Sequence, residues 1–288
     1  MYTTGGGQLL RLKRAMQLYK SCALAKSYFP ELQLKDKRTK LKENRLWARK
    51  YGEPNTFYTL YGLDVVGSNQ ENFMDYYHFM TSRNRINRIG QLDCQVCLLR
   101  DKLIFYKYMK ANGLPVPEVF AVLRNQKMYD INMNEIQLAS LSHKEDYFIK
   151  SIDGECASFV KHVDNFTEFL RLHDELLKTT DCGTYILQER VEQSEEMSKI
   201  NPNSLNTYRI VTINKDNSTY LLTGILRVGT QKSGNVDNWA VGGLAIGIKD
   251  NGFLKKYGYF KPEHGLKVDR HPDTGVIFSE FKAPLYQE

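Results

Sequence analysis

The chain has 288 residues, 42% hydrophobic and 25% charged, with a formal net charge of +7, an ordinary composition for a soluble globular protein able to build a core in two lobes. No apolar run approaches the ~20 residues of a membrane span. The N-terminus MYTTGGGQLLRLKRAMQLYK sets charges where a signal peptide needs its apolar stretch, so a cytoplasmic location is expected.

Charge is concentrated at the start. Residues 1–50 hold 13 Lys+Arg against 3 Asp+Glu, and the remainder holds 27 against 30. Residues 8–50 read as helices broken at Pro30, with Leu9, Leu10, Leu12, Met16, Leu18 and Tyr19 among Arg11, Lys13, Arg14 and Lys20. A solvated helical face is the first reading and peripheral contact with an anionic membrane the second. Nucleic acid is not favoured, because no aromatic platform accompanies the cations. Residues 51–92 are aromatic and irregular; Phe57, Tyr58, Tyr61, Phe73, Tyr76, Tyr77 and Phe79 are expected to pack this segment onto a larger body, with His78 structural.

From Leu92 to Asn112 the pattern predicts one helix ending at Asn112-Gly113, with Asp101-Lys102 in its middle. Its Cys94–Cys97 pair is a CxxC, but no second pair or His pair follows at zinc spacing, so it reads as two small apolar residues. GLPVPEVFAVL gives a turn and a strand. KEDYFIKSIDGECASFVKHV predicts a β-hairpin turning at Ser151–Glu155. Lys150 ends its first strand, and Ser151, Gly154, Ala157 and Ser158 let backbone N–H groups approach an anion. An amphipathic helix with Asn165 or Thr167 as cap follows, then the strand GTYILQERV and a polar linker. TYRIVTI and TYLLTGILRV predict a hairpin turning at residues 214–217. Arg209 and Arg227 then reach one sheet face beside the loop GNVDNWAVGG, a receptor for phosphate or carboxylate. LAIGIKDNG and FLKKYGYF read as a last hairpin, turned at Asp250-Asn251-Gly252.

This order of parts resembles the ATP-grasp superfamily, and within it the sugar-transfer-associated group, related to α-L-glutamate ligases. The resemblance covers roughly residues 70–288 and rests on DKLIFYKYMKANGLPVPEVF, YFIKSIDG, YILQERV, SLNTYRIVT, LRVGTQKSGNVDNWAVGG and HPDTGVIF. It implies an α+β ATP-grasp fold in which two α+β lobes with antiparallel sheets, residues 91–187 and 188–288, enclose a nucleotide cleft behind a helical basic segment, 1–90. It implies that Lys102 and Lys150 contact ATP phosphates under the Ser151–Ser158 loop, with Ser151 and Gly154 in the cofactor-binding set. Gln188 to Val191 would offer backbone groups to the adenine edge, with Glu189 or Glu196 as ribose partners. Arg209, Arg227 and Asn238 would sit at the transferred phosphoryl group. The function implied is an ATP-dependent, Mg²⁺-using carboxylate–amine ligase that forms an acyl-phosphate in cell-surface polysaccharide synthesis, with a sugar-linked carboxylate and an amine as substrates. The family's Glu-x-Asn metal motif has no counterpart after Gly243, and Asp269, Asp273 and Glu280 stand in a different context. The metal ligands are therefore unassigned. A truncated form, an altered metal site or a non-catalytic nucleotide- or sugar-binding scaffold is the alternative expectation.

Overall fold

Alternating apolar positions in the middle of the chain build one antiparallel sheet, and the helices flanking it settle on opposite faces. The computed structural model describes residues 21–51, 54–68, 97–154, 159–178, 183–216 and 218–284. The basic helix expected before residue 21, Cys94 of the CxxC, Phe73 to Phe79 with His78, and Ala157 and Ser158 lie outside the described residues.

The first sheet comprises β1 (Val119–Arg124), β2 (Lys127–Tyr129), β3 (Glu135–Ile136), β4 (Tyr147–Ser151), β5 (Val160–Val163) and β6 (Tyr185–Glu189), in the order β3-β2-β1-β6-β4-β5. Ala121, Leu123, Tyr147, Ile149, Tyr185 and Leu187 share one face and bury Phe169 of α4 (Phe166–Lys178). Asn165 caps that helix, its Oδ1 accepting from the Glu168 N–H at 3.0 Å. Val122 and Ile186 point the other way, onto Leu103 and Tyr106 of α3 (Lys102–Ala111).

The single helix expected across Leu92–Asn112 is interrupted. α2 (Cys97–Arg100) stops and α3 starts afresh, because Asp101 adopts an extended backbone (φ −84°, ψ 116°) and its Oδ1 accepts from Leu103 N and Ile104 N at 2.9 Å each. A short acceptor side chain at a helix start satisfies amides that have no intrahelical partner. Lys102 therefore opens a helix rather than riding in the middle of one. The same logic moves α1 (Lys37–Tyr51) later than the break at Pro30 suggested: Asp36 Oδ1 accepts from Arg38 N at 2.7 Å and Thr39 N at 3.0 Å, while Leu34 bridges Val65 instead.

The second sheet, in the order β11-β10-β9-β8-β7, holds β7 (Thr207–Lys215), β8 (Ser218–Val228), β9 (Leu244–Ile248), β10 (Leu254–Tyr259) and β11 (Lys267–Val268). Leu226, Val228, Leu244, Ile246, Leu254 and Phe278 form its core. β7 and β8 pair as far as Lys215 and Ser218, so their turn is tighter than the four residues expected, with Asp216 at φ 51°. Gly252, at φ 82°, turns β9 into β10.

Where β8 ends, three polar segments meet at Gly229. Its N–H donates to Asn206 Oδ1 at 3.2 Å and its carbonyl lies 2.8 Å from Nε2 of the buried His271, whose Nδ1 accepts from Asp273 N and Thr274 N. A Cβ at Gly229 would stand 2.2 Å from Ser204 Oγ and 2.8 Å from the Val236 carbonyl. Gly229→Ala is expected to cost about 1–3 kcal/mol through overpacking against fixed backbone, to be measured by urea denaturation; an unchanged midpoint would show that the junction yields.

Candidate functional site

Between the sheets lies a cavity of about 660 Å³, of a size to hold a small ligand or cofactor. Its first wall is the α3 face of the first sheet. Lys150 pairs with Val160 and Ile186, and Phe148 with His162 and Gln188. Paired residues share a face, so Lys150 and Phe148 lie on the side of Ile186, where α3 packs. The Lys102 N–H donates to Ile152 O at 3.0 Å. Its Nζ is held by the carbonyls of Ser151 at 2.7 Å, Gly154 at 2.9 Å and Ile152 at 3.3 Å. Lys150 Nζ donates to Gln188 Oε1 at 2.8 Å and lies 5.3 Å from the centre of the Phe148 ring.

Burial, and then the neighbouring Lys102 ammonium, hold Lys150 below the ordinary lysine pKa. The oxygen that holds Lys150 Nζ belongs to a neutral amide. Two like charges held this close disfavour each other, and an anion between them relieves the repulsion.

The opposite wall belongs to the second sheet. Thr207 and Arg227 are cross-strand partners. Arg227 donates from Nε to Thr207 Oγ1 at 3.2 Å and from Nη2 to Thr207 Oγ1 and Asp237 Oδ1, both at 3.0 Å. The Thr207 hydroxyl also bonds Asp237 Oδ2. Asp237 is 8% exposed, so the guanidinium is fixed at Nη2 by a buried carboxylate and at Nε by the Thr207 hydroxyl. Asn238 turns the loop that follows: its Oδ1 caps the short 3₁₀ turn Trp239–Val241 through Ala240 N at 2.8 Å. Gly242, at φ 109°, and Gly243, whose Cβ would meet the Asp237 carbonyl at 2.7 Å, are the glycines this turn requires.

Of the residues expected from sequence, Lys102, Lys150, Gly154, Glu189, Val191, Arg227 and Asn238 line the cavity. Gln188 holds Lys150 instead, and the Ser151 hydroxyl bonds Asp153 while its carbonyl holds Lys102. Glu196 is exposed in the first turn of α5 (Glu195–Ser198), outside the lining. Strand alternation sets Arg209 on the same face as Arg227, but it is exposed and outside the lining. Thr207 and Asp237 were not foreseen. Register alone would have paired Thr207 with Arg227; nothing local marks Asp237 as its partner.

Magnesium needs several oxygen ligands, carboxylates foremost. The described carboxylates lining the cavity are Glu189 and Asp237, and Asp237 is engaged by Arg227 and Thr207. Asp146, His162 and Asp164 bring ligand atoms within 4.8 Å of one another. However, His162 already contacts both carboxylates, and Arg190 bonds both oxygens of Asp146 at 3.0 Å. The described residues do not fit a magnesium site.

A family model described as sugar-transfer associated ATP-grasp matches residues 83–288. No curated protein matches the chain.

The ATP-grasp fold implies ATP binding, and Lys150→Met is expected to weaken ATP binding by roughly tenfold or more in calorimetry, through loss of a charge-assisted contact. The same variant should melt higher without nucleotide. A lysine whose folded pKa lies below its unfolded value binds fewer protons when folded. Its ammonium therefore costs stability below the folded pKa, and that cost fades as pH rises toward the unfolded value. The gap in melting temperature between variant and parent should narrow as pH rises through the alkaline range; a gap constant with pH would contradict this account.

Proposed function

The chain belongs to the sugar-transfer associated ATP-grasp family, and from that premise we propose that it is an ATP-dependent carboxylate–amine ligase of surface-polysaccharide assembly. A carboxylate oxygen of a sugar-linked acid attacks the γ-phosphorus of ATP, the bond to the bridging oxygen breaks, and ADP leaves. An amine then attacks the acyl carbon, phosphate departs and the amine loses a proton. Both steps move negative charge without needing a protein nucleophile, so fixed cations carry most of the catalysis.

One observation carries the reading: Lys102, Lys150 and Arg227 line a single cavity from both sheets. In this reading Lys102 and Lys150 hold the phosphates. Glu189 serves the ribose, the chain from Gln188 to Val191 offers its backbone to the adenine edge, and the aromatic face of Phe148 sits beside them. Arg227, fixed by Asp237, faces the transferred phosphoryl group, and Asn238 lies beside it. Arg209, on the same sheet face, is assigned to the incoming carboxylate.

A second reading, a non-catalytic nucleotide- or sugar-binding protein, is favoured by the engagement of Asp237, which leaves Glu189 as the remaining described carboxylate of the lining. Release of ADP distinguishes the two. ATP at about 100 times its Kd should stabilise the protein by about 2.7 kcal/mol under either. Only the ligase should release ADP when a uronic acid and an amine are supplied, and Arg227→Ala should abolish the release while ATP still stabilises the fold. Stabilisation without ADP across a panel of sugar acids and amines would favour the non-catalytic reading.

No helix among the described residues is long and apolar enough to cross a membrane. We also propose peripheral contact with anionic lipid through residues 8–50. In support, Lys37, Arg38, Lys42, Arg45 and Arg49 of α1 are exposed; Lys35 and Lys40 of the same region pair with Glu43 and Asp64. Vesicles containing phosphatidylserine should retain the protein at low salt, and the double change Arg45→Glu, Arg49→Glu should release it. Equal retention of that variant would remove this proposal.

A further inference from the structure

The turn that Asn238 caps is braced from outside its own lobe. Phe57 precedes the family-matched region, yet its ring stacks on the indole of Trp239, with centres 6.4 Å apart and planes 24° from parallel. That separation lies within the range at which aromatic pairs attract one another. The indole is held on its other edge as well, its Nε1–H donating to the Tyr259 carbonyl of β10 at 2.9 Å. His264 Nε2 lies 2.9 Å from the carbonyl of Ala240, the next residue of the turn.

Phe57 is itself fixed in place. Its N–H donates to Asn55 Oδ1 at 3.1 Å, and Tyr61 meets its ring edge-on with centres 5.8 Å apart. The neighbouring Tyr58 is buried, and its hydroxyl donates to Glu43 of α1 at 2.5 Å. On the cavity side the turn closes tightly. Gly243 N–H donates to the Asn238 carbonyl at 3.0 Å, and the Thr230 hydroxyl donates to the Gly242 carbonyl at 2.9 Å. Asp237 stands one residue beyond Asn238 from Trp239, with its carboxylate oxygens 3.0 and 3.2 Å from Arg227 Nη2. A shift of the indole therefore reaches Arg227 through one intervening residue and one ion pair.

We propose that Phe57 is a positioning residue for Arg227: its ring sets the Trp239 indole and, through the Asn238 turn, the carboxylate that orients the guanidinium. The inference rests on the reading of Arg227 as the group that faces the transferred phosphoryl, and it brings to that site a residue from outside the matched region. Its effect falls on rate. Lys102 and Lys150 belong to the other wall, so nucleotide affinity is spared, whereas slight misplacement of a group acting on the transition state costs turnover.

Two measurements on the whole chain keep this proposal separate from the ligase reading. The first needs no turnover: the NMR resonance of the Arg227 Nε–H, assigned with Arg227→Lys, reports how the guanidinium is held. Phe57→Ala should shift or broaden it, and Phe57→Tyr, which keeps the ring, should restore it. Tyr28→Phe removes two hydrogen bonds from the same N-terminal segment and should leave it in place. The second is ADP release with a uronic acid and an amine. Phe57→Ala should lower kcat by about tenfold or more, while the Kd for ATP stays within about twofold. A resonance indifferent to Phe57→Ala overturns the proposal, and so does an equal response to Tyr28→Phe. In a chain that turns over, an unchanged kcat, or a loss of ATP affinity as large as the loss of rate, also overturns it. A wild-type chain that releases no ADP removes the ligase reading, and the resonance alone then decides. If circular dichroism shows Phe57→Ala misfolded, Phe57→Leu, which fills space without a stacking ring, replaces it in both measurements.

Discussion

The arrangement on which the cavity depends is the proximity of two ammonium groups, one gripped by backbone carbonyls and the other by a side-chain amide. Lys102 is gripped by three carbonyls of the β4–β5 loop and Lys150 by an amide oxygen from the neighbouring strand. The neutral amide oxygen orients the Lys150 ammonium without cancelling its charge. Much of the first lobe serves that placement. Asp101 breaks a helix so that Lys102 can begin one. The pairing of Lys150 with Ile186 turns its side chain to the face that α3 covers. Gln188 spends its side chain on Lys150 and on the Pro117 carbonyl.

The second lobe treats its cation differently. Arg227 has a buried carboxylate partner, so its contribution is directional rather than a matter of net charge. Asp237 and Thr207 occupy Nε and Nη2 and fix the plane of the guanidinium, as a bidentate receptor for an oxyanion requires. The cavity thus has a charged wall and a geometric wall. That asymmetry suits a reaction in which one part of the substrate is held firmly while another part changes charge. It also explains why the described carboxylates leave little for a metal.

What could be read from sequence divides by range. The strand carrying Lys150, the cap at Asn165 and the turn at Gly252 follow from neighbours a few residues apart, and each lies where the local pattern set it. Asp101 was misplaced because apolar periodicity runs through it unbroken; only its capping chemistry marks the division. Arg209 and Arg227 each sit within an apolar strand run, and what separates them is how far along the sheet each lies from the junction at Gly229. The partnership of Asp237 with Arg227 and Thr207 joins a loop to two strands, and the carbonyl grip on Lys102 spans about fifty positions. Such contacts exist only once the sheets are assembled, so no window of sequence contains them.

The N-terminal segment sets a limit on where this protein can be cut. Family likeness begins at residue 83, yet Tyr28, buried well before that point, donates to the carbonyls of Phe260 and Gly265 at 3.1 and 2.9 Å. Phe57 stacks on Trp239, immediately after Asn238, with ring centres 6.4 Å apart, and Glu31 is paired with Lys267. A chain begun at the homology border would lay bare aromatic surface on the lobe that carries Arg227. Heredity and cooperativity therefore draw different borders here: the stretch that descends as a family is shorter than the unit that has to fold together.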